Sequence, residues 1–109
     1  MTLALVYHDD YLRHEHTPTH PERRERLQYT MDQLREEGVL DSPAVEQVVP
    51  SPATMEDIRR VHDESYLDRL QQMAERGRGM LSIDTHVSEH VWEQAKLAAG
   101  GVADAAEAV

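Results

Sequence analysis

The stretch TLALVYH, residues 2–8, decides the class of fold. It is a continuous apolar run with β-forming residues at its end. Strands that read as unbroken apolar runs, instead of alternating ones, are typical of parallel sheets that are covered on both faces. The stretch therefore predicts a buried strand and an α/β protein.

A polar segment of about a dozen residues, DDYLRHEHTPTH (9–20), follows this strand. It has no apolar period and contains a Thr-Pro step, which together predict a loop. Loops of this length are uncommon in compact domains unless they serve a function. We therefore expect functional residues in or beside this segment.

The segment PERRERL (21–27) predicts the start of a helix. Pro21 suits a first helical turn, and Glu22 favours the positive end of the helix dipole. The spacing of apolar residues then predicts one inward face, and Gly38 is the expected end of the helix. The residues of that face are Leu27, Met31 and Leu34.

Further elements are predicted after residue 40. VEQVV (45–49) predicts a second short strand. Thr54 predicts the cap of a short helix with Val61 facing inward. Asp63 predicts the cap of a longer helix that Gly77 ends.

The remaining sequence predicts a loop and a last helix. RGMLSIDTH (78–86) is interpreted as a loop with an apolar insert, and Ser88 as the cap of the helix after it. Gly100-Gly101 lowers helix propensity by roughly 2 kcal/mol relative to alanine, which predicts close packing against a neighbour. The expected inward face of this helix is Val91, Ala95, Val102 and Ala106.

The order strand, helix, strand and three helices fits an α/β layer design. Two strands make a poor sheet, so further strands are expected beyond residue 109. The segment 88–109 runs to the end without a stop signal, which also predicts a chain cut from a longer domain.

Composition narrows the class of function. The net charge is -10, with 21 acidic and 11 basic residues. Such a chain is expected to repel nucleic-acid backbones and anionic membranes. There is no cysteine and no signal-peptide pattern, and the opening apolar run is too short to span a bilayer. A cytoplasmic protein is the expectation.

Two groups of residues invite a metal. His14, His16 and His20 have the right chemistry, but a loop without a rigid frame gives them no fixed geometry. We favour a polar loop whose histidines bind backbone or water, and a histidine-loop metal site is the weaker hypothesis. The second group is the Asp-x-His pair of Asp84 and His86. Here too the preferred interpretation is the end of a polar loop.

Three segments in order resemble the histone deacetylase family, nearest its bacterial and archaeal members of the acetoin-utilisation type. They are LVYHDDYLRHEHTPTHPERRERL (5–27), RRVHDESYLDRL (59–70) and SIDTHVSEHVWEQAKLAAGGVADAAEAV (82–109). The first is similar to the family's opening strand, rim loop and HPERPERL helix start. The other two are similar to its VHxxxYLxxL helix and its DTxVSxxSxxAAxLAAGG segment.

The resemblance implies the N-terminal part of an arginase/deacetylase-like, three-layer α/β fold with a central parallel sheet. Residues 1–109 would be one fragment of a single deacetylase domain. The implied activity is hydrolysis of an acetyl amide by zinc-activated water. The substrate would be an acetylated small molecule, such as an acetylpolyamine, or a protein acetyl-lysine. The family's Zn²⁺ ligands are expected downstream of residue 109, so the chain alone is expected to be inactive.

The resemblance also assigns roles to residues. Asp84 matches the rim aspartate that accepts substrate backbone N–H groups, and Arg26 matches an arginine that lines an internal acetate channel. Arg24 departs from the family, which commonly has proline there. The other matches, at the pocket rim or behind it, are Tyr11, His20, His62 and the stretch 14–16.

One rival hypothesis comes from a different class of protein. A chain that kept only the N-terminal layer would act as a non-catalytic module and bind a partner through its Ala-Gly helix. An isolated chain of this kind exposes apolar surface and is expected to self-associate. Within the deacetylase hypothesis, the partner of this surface is the rest of the domain.

Overall fold

The computed structural model describes residues 3–13, 20–21, 23–82 and 85–109. Two parallel strands, an antiparallel hairpin and four α-helices make up the fold, with two short 3-10 helices between them. In chain order the elements are β1 (Leu3–Val6), a first 3-10 helix (Asp9–Arg13), α1 (Arg24–Glu36), a second 3-10 helix (Val39–Asp41), β2 (Val45–Val48), α2 (Met55–Arg59), α3 (Glu64–Arg76), β3 (Arg78–Ser82), β4 (Thr85–Ser88) and α4 (Val91–Ala108).

The two strands predicted from the apolar runs pair in parallel. Leu3 lies opposite Val45 and Val6 opposite Val48, with α1 in the connection between the strands. This confirms the prediction of a parallel sheet in an α/β fold. The strands are only half-buried, and Leu3 is 52% exposed. The part of the chain that the structure describes therefore covers the sheet less fully than the apolar run predicts.

The interpretation of residues 78–86 as a loop is wrong. β3 and β4 form an antiparallel hairpin in which Arg78 pairs with Ser88 and Gly79 with Val87. The register shifts between Met80 and Ser82. Val87 is 3% exposed, and α3 packs against both strands. The apolar insert is therefore a strand, which pairs with the strand that carries the buried Val87.

Helix boundaries follow the predicted capping residues in part. The Thr54 side chain accepts a hydrogen bond from the Asp57 backbone N–H at 3.2 Å, which confirms the α2 cap. Asp63 holds the cap position of α3, and Gly77, with φ of 79°, ends that helix. The starts of α1 and α4 were predicted too early, since these helices begin at Arg24 and Val91. Pro21 therefore precedes α1, and Ser88 ends β4 instead of capping α4.

The inward face of α4 also differs from the prediction. Its buried residues are Gln94, Leu97, Gly100 and Gly101, whereas Val102 is 73% exposed. The side of α4 that faces the segment after β2 carries glycine at residues 100 and 101. Because these residues have no side chain, the helix can pack closely against that segment. The predicted close packing of the two glycines is confirmed.

Contacts between α4 and residues 50–53 fix the helix against the end of β2. A Cβ at Gly100 would overlap the Ser51 carbonyl oxygen and would lie 2.6 Å from the Ala53 backbone nitrogen. The Ser51 N–H and hydroxyl both donate to one carboxylate oxygen of Asp104, at 2.7 and 2.9 Å. The C-terminal half of α4 is therefore held by close contact with the backbone of residues 50–53 and by the Asp104 hydrogen bonds, and not by the burial of large side chains.

The apolar core is small. Val61, predicted to face inward, is 79% exposed, because α2 is a single short turn that ends before it. Within the described part of the chain, no helix has the length and apolarity needed to cross a membrane. The buried apolar residues are Met31, Leu67, Ala74, Val87 and Leu97.

Candidate functional site

The candidate site lies where the chain leaves the carboxyl end of β1. In α/β sheets, ligands bind beyond the carboxyl ends of the parallel strands. Here the first 3-10 helix follows that end and packs against both α1 and α4. The predicted long loop is thus a 3-10 helix over its first five residues, while residues 14–19 lie outside the described residues.

Tyr11 anchors the 3-10 helix to α4. Its hydroxyl donates to the Leu97 carbonyl at 3.1 Å. Its ring meets the Tyr7 ring edge-on, with centroids 6.1 Å apart. A Cβ at Gly101 would lie 2.6 Å from the Tyr11 hydroxyl oxygen, so the second glycine of α4 makes room for this side chain. Tyr11 was predicted at the pocket rim or just behind it, and these contacts tie the 3-10 helix to α4.

Gln94 holds the 3-10 helix from the other side. Its side-chain nitrogen donates to the Tyr11 carbonyl at 2.6 Å and to the Asp10 carbonyl at 3.3 Å. The residue is 5% exposed. Sequence patterns missed this residue. The signal that was present is its spacing of three and seven residues from Leu97 and Gly101, which places a buried amide on the helix's small-residue face.

A cavity of about 510 Å³ opens where three elements meet: the end of the 3-10 helix, the start of α1 and the start of α4. Arg13 lies 3.3 Å from Asp10, and the His90 imidazole lies 3.2 Å from Glu89. Two guanidinium groups and an imidazole suit the binding of a polar ligand more than bond cleavage. The residues that line the cavity are Leu12, Arg13, Arg24 and His90.

The remaining predicted site residues fall in different places. Arg26 lies exposed in the first turn of α1, and the described residues form no closed channel around it. His20 is half-buried just before α1. His62 lies exposed and stacks on Tyr66, with ring centroids 5.3 Å apart, so its contact is local. Asp84 and the stretch 14–16 lie outside the described residues.

The described residues do not fit a zinc site. Across residues 3–13, 20–21, 23–82 and 85–109, no three histidine, cysteine, aspartate or glutamate side chains come together as metal ligands. No step of the chemistry is therefore assigned to a metal held by these residues.

The Tyr11 contact predicts a dependence of stability on pH. Burial raises the pKa of the Tyr11 hydroxyl above its usual value of 10.0, and the Asp104 carboxylate raises it further. Folding thus favours the protonated hydroxyl, and this stabilisation is lost as the pH rises past about 10. Tyr11→Phe is expected to lower the free energy of unfolding by about 1 kcal/mol at pH 8 and to flatten its fall above pH 10. Urea unfolding at pH 8 to 11 measures both.

The matched control is Tyr29→Phe, since Tyr29 is 64% exposed on α1. This variant is expected to keep the wild-type stability at pH 8 and the wild-type slope above it. An equal fall above pH 10 in Tyr11→Phe and in the wild type would contradict the role given to the Tyr11 hydroxyl.

The geometry defines a class first: a layered α/β domain with a cavity beyond the carboxyl end of its first parallel strand. Residues 20–109 match the profile of the histone deacetylase domain. The chain therefore belongs to the histone deacetylase family, as its motifs predicted.

Curated relatives agree with this. The chain is similar to a probable deacetylase of Archaeoglobus fulgidus, with 48% identity over 109 residues, all of this chain and 30% of the relative. It is also similar to an uncharacterised protein of Synechocystis, with 37% identity over 99 residues, 88% of this chain and 32% of that protein. The chain thus spans about a third of the length of these relatives.

The fold is similar to that in the crystal structure of the HDA15 HD domain, with a TM-score of 0.80 and 24% identity. The match covers 94% of this chain and 30% of that one. This likeness shows the fold and confirms the prediction of part of a deacetylase-like α/β fold.

Proposed function

We propose that residues 1–109 form the N-terminal part of a single zinc-dependent deacetylase domain that hydrolyses acetyl amides. One observation carries the proposal: all 109 residues align at 48% identity with a probable deacetylase. The alignment extends over the whole of this chain. Such an alignment is expected for a continuous part of that domain more than for a small module that unrelated proteins share. Acetyl-lysine and acetylpolyamine are the two substrate classes.

The proposal places the zinc ligands outside this chain, in the two-thirds of the domain that it does not span. Bound zinc in such a domain polarises the acyl oxygen and lowers the pKa of the attacking water. The 109 residues alone are accordingly expected to show no hydrolysis.

This chain would supply the wall and lip of the pocket. The Asp84 carboxylate can accept two N–H groups of a substrate backbone at once, and such charge-assisted hydrogen bonds fix orientation. Arg26 would bind the leaving acetate bidentately once the rest of the domain encloses it. Tyr11 and Gln94 would hold the 3-10 helix from which the rim loop departs.

The test joins this chain to the remaining two-thirds of the Archaeoglobus fulgidus relative. We expect the hybrid to release acetate from an acetyl-lysine peptide with zinc present, and Asp84→Ala to lower kcat/KM roughly 10- to 100-fold. Asp68→Ala, an exposed aspartate on α3, is the matched control and should leave kcat/KM unchanged. A hybrid that folds and hydrolyses no acetyl amide, while the intact relative does, would contradict the proposal.

An exposed surface of α4 favours the interaction-module alternative. A groove of about 230 Å³ lies between α4 and β1. In the deacetylase proposal, the rest of the domain covers this groove. Acetate release by the hybrid would support the deacetylase proposal over the interaction module. The groove is lined by Ala4, Val6, Tyr11, Ala98, Gly101, Val102 and Ala105.

A further inference from the structure

Several basic side chains of this acidic chain lie beside carboxylates. Five of them lie within 3.4 Å of an aspartate or glutamate oxygen. By contrast, Arg69, Arg76 and Arg78 make no ion pair or hydrogen bond within the described residues, and of these three Arg76 and Arg78 line the same cavity. Arg76 and Arg78 are thus two unmatched guanidinium groups, two residues apart, in a chain where acidic residues outnumber basic ones by 21 to 11. The five matched side chains are Arg13, Arg35, Arg59, Arg60 and Lys96.

The two arginines share one concave surface. Gly77, with φ of 79°, reverses the chain between them as α3 ends and β3 begins. The cavity beside this turn has a volume of about 700 Å³, and both arginines line it with Gly79, Met80 and Val87 among their neighbours. A Cβ at residue 79 would lie 2.8 Å from the Met73 side chain. Glycine avoids this contact, so no side chain covers the backbone at this point of the cavity. The surface is thus cationic, open and partly apolar.

The charge of the surface decides what it attracts. The negative end of the α3 dipole lies here, but it amounts to roughly half a charge against the two of the arginines. A carboxylate meets the two guanidinium groups well, since planar, fixed donors match its geometry. A cationic polyamine is repelled at the same place. The acidic remainder of the surface disfavours long acidic runs, so a single acidic side chain fits best.

The position of the surface relates it to the proposed rim. Arg78 opens β3 at the base of the hairpin, opposite Ser88. At the other end of the hairpin, β3 ends at Ser82 and β4 begins at Thr85, and Asp84, proposed for the rim, precedes Thr85 in the sequence. β3 has five residues, so at about 3.3 Å per residue its two ends, Arg78 and Ser82, lie roughly 13 Å apart. An extended peptide covers that distance with four or five residues.

We propose that Arg76 and Arg78 form a carboxylate-binding subsite that selects peptide substrates with one acidic residue four or five positions from the acetyl-lysine. The inference rests on the proposed function and deepens it. It favours protein acetyl-lysine over acetylpolyamine as the substrate class. The selectivity resides in the hairpin base, away from the chemistry.

The first experiment measures binding to the 109-residue chain. Fluorescein-labelled acetyl-lysine peptides carry glutamate or glutamine at positions +3 to +6 or -3 to -6, and anisotropy gives each Kd. At low salt the best glutamate peptide is expected to bind about 5- to 10-fold more tightly than its glutamine partner, with the ratio falling as salt is added. In Arg76→Gln/Arg78→Gln the ratio should drop to about one. Arg69→Gln, an exposed arginine on α3 outside the cavity, should keep it.

The second experiment measures kcat/KM with the same peptides in the hybrid enzyme. The double substitution should remove the preference for glutamate and leave hydrolysis of the glutamine peptide unchanged. A glutamate preference that survives the double substitution, or equal Kd values for all peptide pairs with the wild-type chain, overturns the subsite. A binding preference without any hydrolysis by the hybrid supports the subsite and counts against the proposed function, so the two failures are distinguishable.

Discussion

Gly100→Ala is expected to lower the free energy of unfolding by about 3 kcal/mol, although alanine is the better helix former by about 1 kcal/mol. The new methyl group would overlap the Ser51 carbonyl oxygen and crowd the backbone at Ala53. Backbone atoms cannot rotate away as the end of a side chain can. α4 would have to move off residues 50–53, and the bond from the Ala53 N–H to the Lys96 carbonyl, 2.9 Å long, would break.

Urea unfolding monitored by circular dichroism measures the loss, and two variants frame it. Gly101→Ala meets the Tyr11 hydroxyl at 2.6 Å, a side-chain end that can shift, so about 1 kcal/mol is expected. Ala99→Met adds its atoms on the exposed face of α4 and should be neutral. If Gly100→Ala were as stable as the wild type, α4 would not lie against the Ser51 segment as described.

Gln94→Glu is expected to lower stability by about 4 kcal/mol at pH 7, the largest effect in the molecule. The substitution replaces an amide donor, 2.6 Å from the Tyr11 carbonyl oxygen, by a carboxylate oxygen. Two acceptors would then face each other, and a charge would be buried at a residue that is 5% exposed. Both bonds to the 3-10 helix are lost, so Tyr11 and the rest of that helix are held less firmly against α4.

The pH dependence of this variant separates charge from shape. Burial would raise the pKa of the new carboxyl above the usual value of about 4.3, since the charged form is disfavoured. The deficit relative to the wild type should therefore shrink as the pH falls from 7 to 5, because the protonated carboxyl can donate again. Gln94→Met, of similar length and without charge, should lose about 1 to 2 kcal/mol at both pH values. Equal losses for the two variants at pH 7 would contradict the argument.

Local patterns were enough to predict the elements that depend on neighbours in the chain. β1 and β2 were visible as short apolar runs, and Gly38 and Gly77 marked the ends of α1 and α3 because both adopt positive φ. The hairpin was not visible. Met80 and Leu81 are too short a run to show a period, and their strand forms by pairing with residues across a turn, with a register shift that breaks the alternation.

The buried face of α4 could not be predicted for a different reason. Alanine and glycine fill most of its length, so no side is clearly more apolar, and valines such as Val102 mislead. What decides the face is the shape of the backbone at residues 50–53, which is remote in sequence. The glycine pair did reveal that some close contact exists.

The candidate site was predicted by resemblance more than by residue spacing. Spacing alone gave a long polar loop and several histidines, while the roles of Arg26 and Asp84 came from the family's motifs. Gln94 was found by neither route, because a polar residue on a helix reads as exposed until the carbonyls of Asp10 and Tyr11 are placed beside it.

The bonds that hold the 3-10 helix join residues far apart in synthesis. Tyr11 and Gln94 are 83 positions apart, and Tyr11 and Leu97 are 86 positions apart. At about 5 to 20 residues per second, a ribosome makes the N-terminal strand roughly 4 to 17 seconds before the helix that secures it. During that interval the 3-10 helix lacks the bonds that hold it to α4, although β2 is already available to pair with β1. The 3-10 helix can thus become fixed against α4 only after residues 94–97 have been made.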